Sequence, residues 1–563
     1  GSVFAMLAIL LCVWGQFDKD EWTPDEPRVV AIAIEMAQSN DFIIPHLAGE
    51  PFVEKPPLYF ALAASAIKIL PQLSPVNAIR TLNTILAILS LYFTYLLGRD
   101  LLNKQGGLLA LIVLGSMFGF ISNTHWSRVD NLLTLSLVAG VWSFYYGLSK
   151  GRFAYLLLAS IFAGISFLTK GLIGVVSLGI CWFSFWVAYY FSLKNEQIRT
   201  SIERRFYLNN TLIWHALAVF LLVVICAGWI ILFWLQGTDA TWHEWFWVNN
   251  VGRFTGTAQE LGHLHPGQPF YYIKASLEYS LPWSPFLIAW FCSAIYRMYK
   301  RQPLYFGELF LLFSIALNLI ILTLSDTKRS LYLFPLLPLF AVVIVYAVLL
   351  VQRNWVKYYQ GFWLGLCAIL TLAILTSPIY ASTFGKKLPS NVVQILSQFR
   401  PEHFIVLLCV VILLLWYRKT SKSKPMNLAL ACFVLFFTAF GILNKPINAY
   451  KSMVADSHEF LEKMVDANEV QIAGYMLNET TRSILYIYGS RKLSSLPDFK
   501  RAIEVLEGRD QKFNSLVIDQ SEVVELLKIQ LTEDHFQLKI LAEEHPRSDK
   551  KHSAIYWLKA ERN

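Results

Sequence analysis

Residues 58–70 read LYFALAASAIKIL, an apolar run closed off by Pro56-Pro57 in front and Pro71 behind. An α-helix needs roughly 17–25 apolar residues to cross a bilayer core, so this run is short for a span and suits an interfacial or re-entrant helix. How it is read decides the topology of the whole chain. If it does not cross, Arg99/Lys104, Lys150/Arg152, Lys194/Arg199/Arg204/Arg205, Arg297/Lys300/Arg301, Arg353/Lys357 and Arg418/Lys419/Lys422/Lys424 all fall on one side, which the positive-inside rule makes the cytoplasm. If it crosses, the pattern breaks at the first of these loops.

The rest of the chain has the composition of a polytopic α-helical membrane protein. Hydrophobic residues make up 55% and charged residues 15%, with a mean hydropathy of +0.46; soluble domains carry about a quarter charged residues. Apolar runs of spanning character occur near 3–16, 77–98, 106–125, 131–148, 153–169, 171–191, 211–236, 284–298, 304–324, 331–351, 358–379, 403–417 and 427–444, about 13 in all. The first reads as a retained helix, because no small-residue cleavage site follows it. The net charge of +9 sits in short loops and marks topology, not a nucleic acid partner. All 7 cysteines lie in apolar runs, so none is placed for a disulfide framework or a CxxC metal site.

With that topology, the opposite face collects the motifs. The first loop, 17–76, carries Asp25-Glu26-Pro27-Arg28 and then Glu54-Lys55-Pro56-Pro57-Leu58-Tyr59. Thr23-Pro24 reads as an N-cap and first-turn proline, which would put Asp25 and Glu26 where a helix dipole favours acids. Capping does not account for Arg28, nor for a carboxylate and an ammonium held by two stiff prolines at membrane level. Arg128 and Asp130 in HWSRVDNLLT, Lys170 in FLTKGLIG, the long loop 238–283, and Asp326, Lys328 and Arg329 ahead of Tyr332 fall at the same ends of helices. A single charge there is ordinarily an anchor. Six segments bringing acids and bases to one face point to chemistry on a charged lipid headgroup.

Two of these segments have further content. In the loop 238–283, His263 and His265 with a carboxylate such as Glu54 would ligate a metal, although a His-x-His pair among aromatics also reads as an ordinary interfacial segment. Arg253 is the only Lys or Arg between Arg205 and Lys274, and its guanidinium would fork onto a phosphate. In SDTKRSLYLFPLLP, residues 325–338, Lys328 or Arg329 and Tyr332 would neutralise a lipid phosphate. Pro335 and Pro338 would bend that helix and open a gap for the lipid tail.

The DE pair, EKPPLY, the R-x-D of residues 128–130, LTKG, HPGQPFYY and KRSLYLFPLLP together resemble the lipid-linked sugar transferases of the protein O-mannosyltransferase superfamily, with its GT-C membrane fold. The resemblance covers residues 1–350, and the architecture is most similar to the bacterial 4-amino-4-deoxy-L-arabinose transferases that modify lipid A. It implies Asp25 as the catalytic carboxylate, with Glu26 the less defined member of its pair. It implies Glu54 with His263 or His265 as ligands of a divalent ion, whether zinc, magnesium or manganese. Arg28, Lys55, Arg253 and Tyr332 become phosphate contacts, with Tyr59, Arg128, Lys170, Lys328 and Arg329 as further donor-binding candidates. It also implies a polyprenyl phosphate-linked sugar donor, a lipid A acceptor, inversion at the anomeric carbon, and a monomer in the bacterial inner membrane. The active site would face the periplasm, and the product would confer resistance to polymyxin and other cationic peptides.

Residues 446–563 change character. Strand-like VQIAGYM, SLVIDQ, FQLKILAEE and AIYWLKAE alternate with helix-like LPDFKRAIEVLEG and EVVELLKIQL, which reads as a small extracytoplasmic α/β domain after a transmembrane catalytic domain of residues 1–445. Covering the cavity, docking the acceptor or simple stabilisation would each suit it. Two chemistries stay open for Asp25. A protein hydroxyl acceptor would need it as general base, whereas a phosphate acceptor would leave Asp25 or Asp130 to orient the sugar or pair with its amino cation. A transporter of lipid-linked sugars is the other class, but it would show internal repeats or broken midplane helices, and the charges here cluster at one face.

Overall fold

The computed structural model describes residues 2–194, 211–257, 268–350, 354–384, 426–466, 471–544 and 554–562. The run 403–417 and the pair His263 and His265 lie outside the described residues. Among the described residues, 7 helical stretches are long and apolar enough to cross a membrane: Pro75–Leu101, Val129–Lys150, Leu172–Leu193, Thr211–Gln236, Phe306–Leu324, Ser330–Leu349 and Met426–Asn444. Val129–Lys150 is buried on nearly every side, as an all-round apolar helix must be at the centre of a bundle. Thr211–Gln236 is the most hydropathic of them and leaves most side chains exposed, which suits contact with lipid.

Several apolar runs take other forms. The run 106–125 is two helices, Lys104–Gly115 and Phe118–Thr124, bent by 63°. At the break Ser116 Oγ donates back to the Ile112 carbonyl at 2.7 Å and accepts Trp283 Nε1 at 3.0 Å, while Phe118 N–H donates to the Leu281 carbonyl at 2.9 Å. The backbone groups freed by the bend are thus paired. The run 331–351 opens as a 3-10 helix, Ser330–Leu336, with Pro335 inside it, and continues as the α-helix Leu337–Leu350. Proline has no N–H for an α-helical bond, so the change of helix type absorbs it. Leu58–Ile69 is a helix of 12 residues. At 1.5 Å per residue it is about 18 Å long, well short of the hydrocarbon core.

The chain forms two compact units, one of residues 1–17, 53–59 and 81–443, the other of residues 18–52, 60–80 and 444–563. The first has an apolar core that includes Leu97, Leu114, Phe144, Phe310, Phe334 and Phe340. The second contains a five-stranded mixed sheet in the order Ser494–Ser495, Ile472–Gly474, Ser515–Ile518, Ile555–Arg562 and Phe536–Glu544; the first three strands run parallel and the last three antiparallel. Alternation along the central strand sends Leu516 and Ile518 into a core with Leu527, Leu531 and Leu558, and Val517 into the opposite core with Ile555, Trp557 and Phe460. Both faces are therefore covered. Helix Phe499–Leu506 is set by Asp498, whose side chain accepts the Arg501 N–H at 2.8 Å, and it buries Ala502, Ile503, Val505 and Leu506.

The same unit holds helix Glu26–Ser39 over a buried ionic core. Arg80 is fully buried; its guanidinium reaches Glu26 Oε2 at 3.3 Å and donates to the Asp20 carbonyl at 2.7 Å and to the Lys19 carbonyl. Burial pulls the Lys19 ammonium down to about 7, with Glu26 opposing the shift and Arg80 adding to it. Removing one partner of a buried ion pair strands the other, at a cost of about 3–5 kcal/mol. Arg80→Met should therefore lower the melting temperature of the purified protein sharply, whereas Lys68→Ala, on an exposed pair with Asn40, should leave it unchanged. Lys19 has the opposite sign. Its folded pKa lies below its unfolded one, so the penalty of burying its charge is complete below about pH 7 and fades as pH rises toward the ordinary lysine value of 10.5. Lys19→Met should raise the melting temperature at pH 6 more than at pH 9.

Candidate active site

In the first unit, a cavity of about 440 Å³ is walled by Leu133, Leu137, Ile173, Val176, Ile321 and Leu336, with Glu54, Lys55, Lys170, Asn249, Asn250, Arg253 and Tyr332 also lining it. Each polar group is placed by local chain geometry. Pro56 and Pro57 stiffen the entry to helix Leu58–Ile69, which leaves Glu54 and Lys55 in the turn before it. Lys170 closes helix Ala154–Lys170 because Gly171 follows it at φ 73° and ψ −147°, a conformation reserved for glycine. A Cβ on Gly171 would also stand 2.9 Å from Asn250 Oδ1. The π-helix His243–Gly252 contains Asn249 and Asn250 and leads directly into Arg253. Tyr332 stands on the 3-10 turn that Pro335 enforces.

The charges are organised in two groups. Glu54 Oε1 lies 3.0 Å from Lys55 Nζ and 2.9 Å from Arg253 Nη2, so one carboxylate serves two cations. Arg253 is held by its backbone, its carbonyl accepting from Thr327 Oγ1 at 3.0 Å. Lys170 Nζ meets the buried Asp130 Oδ1 and sits 4.6 Å from the centre of the Tyr332 ring. Three cations thus border the cavity against one lining carboxylate and one buried behind Lys170. An arrangement of that kind binds an anion.

Other expected residues are placed elsewhere. Lys328 is buried and donates to the Ser325 carbonyl at 2.6 Å, and Arg329 precedes the 3-10 turn; neither lines the cavity. Arg128 pairs with Asn123 Oδ1 at 3.0 Å and lies over Trp126, and Tyr59 is buried, donating to Asn83 Oδ1 at 2.8 Å. Asp25, Glu26 and Arg28 belong to the second unit. There helix Glu26–Ser39 starts one residue after Asp25, its first-turn proline is Pro27 in place of the expected Pro24, and the Asp25 side chain makes no cap bond. Asp25 instead contacts Arg28 at 3.5 Å. Glu26 takes the structural role, accepting the Trp22 N–H at 2.8 Å as well as pairing with Arg80. Sequence reasoning passed over Arg80, which lies in an apolar helix with no motif around it, and over Asn249 and Asn250, whose placement depends on a π-helical register.

Among the described residues no group of three His, Cys, Asp or Glu side chains is arranged to hold a metal ion. Glu54, the described member of the ligand set implied by the resemblance, already has Oε1 between two cations that would repel a third positive charge. The other members of that set, His263 and His265, lie outside the described residues.

A helical membrane protein with an apolar cavity ending in cations is the class that fold and site define. The sequence profile of the family described as dolichyl-phosphate-mannose-protein mannosyltransferase matches residues 54–231. The undecaprenyl phosphate-alpha-4-amino-4-deoxy-L-arabinose arabinosyl transferase 2 of Proteus mirabilis (strain HI4320) is 26% identical over 377 residues, 64% of this chain and 63% of that one. The corresponding transferase of Pseudomonas aeruginosa (strain UCBPP-PA14) is 27% identical over 337 residues, 59% and 56% of the two chains. The match spans a little under two thirds of the length of these curated relatives. The crystal structure of ArnT from Cupriavidus metallidurans bound to undecaprenyl phosphate superposes with a TM-score of 0.70 at 15% identity, covering 99% of this chain and 97% of that one. The resemblance drawn from the motifs is borne out, and the chain shares the fold of that membrane protein structure.

The contrast within the DE pair is directly testable. Asp25→Asn should keep the wild-type melting temperature, since no cap bond is lost and an amide oxygen can still accept from Arg28, while Glu26→Gln should lower it because the buried Arg80 loses a carboxylate with which it pairs. Equal melting temperatures for the two variants would contradict the structural role of Glu26.

Proposed function

We propose that this chain is an inverting glycosyltransferase that moves 4-amino-4-deoxy-L-arabinose from undecaprenyl phosphate to a phosphate of lipid A. The observation that carries the reading is the cavity, whose apolar wall suits a polyprenyl tail and whose three cations suit its phosphate. The names of the relatives supply the sugar and the carrier. In the reaction the bond between the anomeric carbon and the donor phosphate oxygen breaks, leaving its electrons on that phosphate, while an oxygen of the acceptor phosphate bonds to the opposite face of the carbon. Lys55, Arg253 and Lys170 stabilise the charge that gathers on the leaving phosphate, and fixed cations in a site partly withdrawn from water do so without reorganising. Asp130 keeps Lys170 in place, and Tyr332 lies against the lipid. A phosphate acceptor is already anionic and needs no general base.

The proposal includes about 13 spans, with the Lys- and Arg-rich loops in the cytoplasm and residues 446–563 in the periplasm, a topology supported by the one-sided distribution of positive charge. Impermeant thiol reagents should then label a cysteine placed at Lys500 in intact spheroplasts and one placed at Asn103 only after lysis. Labelling of both from the same side would overturn the topology.

Mass spectrometry of lipid A from cells with and without the protein tests the activity. A pentosamine adduct that disappears with the protein, along with a gain in polymyxin susceptibility, is the expected result; unchanged lipid A with a sugar lost from a secreted protein would move the acceptor to protein hydroxyls. Lys55→Ala and Arg253→Ala should each fold normally, because Glu54 keeps the other cation. Each should slow transfer by about 10- to 100-fold, the loss of one charge-assisted contact of about 1.5–3 kcal/mol.

A further inference from the structure

Among the polar side chains that line the cavity, Asn250 brings an acceptor where the cations bring donors. Its Nδ2 donates to the Trp245 carbonyl at 2.7 Å. A carbonyl can only accept, so this bond fixes which end of the carboxamide is nitrogen and leaves Oδ1 as the other end. Among the described residues no donor reaches that oxygen. Gly171 gives it room, since a Cβ there would stand 2.9 Å from it. Asn249 is anchored in the same way, its Nδ2 donating to the Glu244 carbonyl at 3.0 Å, but its Oδ1 is enclosed in protein. The acceptor open to a ligand belongs to Asn250.

Its surroundings narrow what that ligand group can be. Lys170 directly precedes Gly171, and Arg253 follows Asn250 by three residues, so the oxygen lies among residues that carry two of the three cations. A phosphate dianion brings acceptors only and cannot satisfy a carboxamide oxygen, and a polyprenyl chain has no polar hydrogen. The group that meets Oδ1 must be a donor. An ammonium is one, but two like charges at this edge disfavour it. A sugar hydroxyl is the neutral donor that remains. On a glycosyl phosphate, the hydroxyl nearest the phosphate sits on the carbon next to the anomeric one.

We propose that Asn250 is a specificity residue of the transferase, its Oδ1 accepting from the 2-hydroxyl of the donor sugar while the cations hold the phosphate. As positive charge gathers on the anomeric carbon, that hydroxyl becomes more acidic and the bond tightens. The contact therefore counts for more in the transition state than in the bound donor. The cavity reads the sugar as well as its carrier. The inference rests on the reading of this cavity as the site of a polyprenyl phosphate-linked sugar.

The test is steady-state transfer by the full-length purified chain, using lipid A with undecaprenyl phosphate-linked aminoarabinose or its 2-deoxy counterpart. With the first donor, Asn250→Leu should lower kcat about tenfold and leave the donor KM nearly unchanged. With the 2-deoxy donor, the variant and the wild type should turn over alike, because the hydroxyl that Asn250 reads is gone. Undecaprenyl phosphate without a sugar should inhibit both proteins equally, which shows that the variant is folded and still holds the phosphate. Full kcat in Asn250→Leu, an equal fall with the two donors, or a matching loss of inhibition by undecaprenyl phosphate would each overturn the inference, while transfer by the wild type leaves the functional reading standing. A wild-type chain that transfers nothing sinks that reading and the inference with it.

Discussion

A charge withdrawn from water into a bundle of apolar helices must find a partner or lose its ionisation, and that constraint shapes the polar part of this protein. Glu26 and Arg80 satisfy each other in the second unit; Asp130 and Lys170, and Glu54 with Lys55 and Arg253, do so in the first. The three arrangements differ in what they leave over. Glu26 and Arg80 are both fully buried and neutralise one another, so their product is structure. Glu54 faces two cations at once, so its cluster keeps a positive charge beside an apolar cavity. That excess is what the proposed anion site rests on.

The backbone around the cavity departs from regular helix where the polar side chains are placed. A glycine in a conformation closed to other residues ends the helix at Lys170, a π-helix carries Asn249 and Asn250 into Arg253, and a proline-bearing 3-10 turn carries Tyr332. Each departure costs conformational or hydrogen-bonding energy that an ordinary span avoids. Their concentration around one cavity fits a scaffold whose core, built from residues such as Phe144, Phe310 and Phe340, is rigid enough to hold them.

Much of this was legible in the sequence. The short run 58–70, the LTKG and EKPP elements and the lone Arg253 have meanings that survive without coordinates, because prolines, glycines and isolated charges in apolar surroundings are tightly constrained. The C-terminal alternation of strand and helix was legible for the same reason, period 2 giving way to period 3.6. What a sequence does not carry is pairing. Lys328 and Lys170 look alike beside an apolar run, yet one ammonium is consumed by the Ser325 carbonyl and the other faces the cavity. Asp25 and Glu26 are neighbours with different fates, and nothing local distinguishes the one bound to Arg80. Arg80 was invisible because its partners lie some sixty residues away along the chain.

On the proposed function, charge and not the tail sets the cavity's preference for a phosphate at the end of a polyprenyl chain. Native mass spectrometry of the purified chain in mixed micelles containing equal undecaprenyl phosphate and undecaprenol reads this directly. The phosphate should be retained on the protein under gentle activation and the alcohol lost. Equal retention of the two lipids would contradict it.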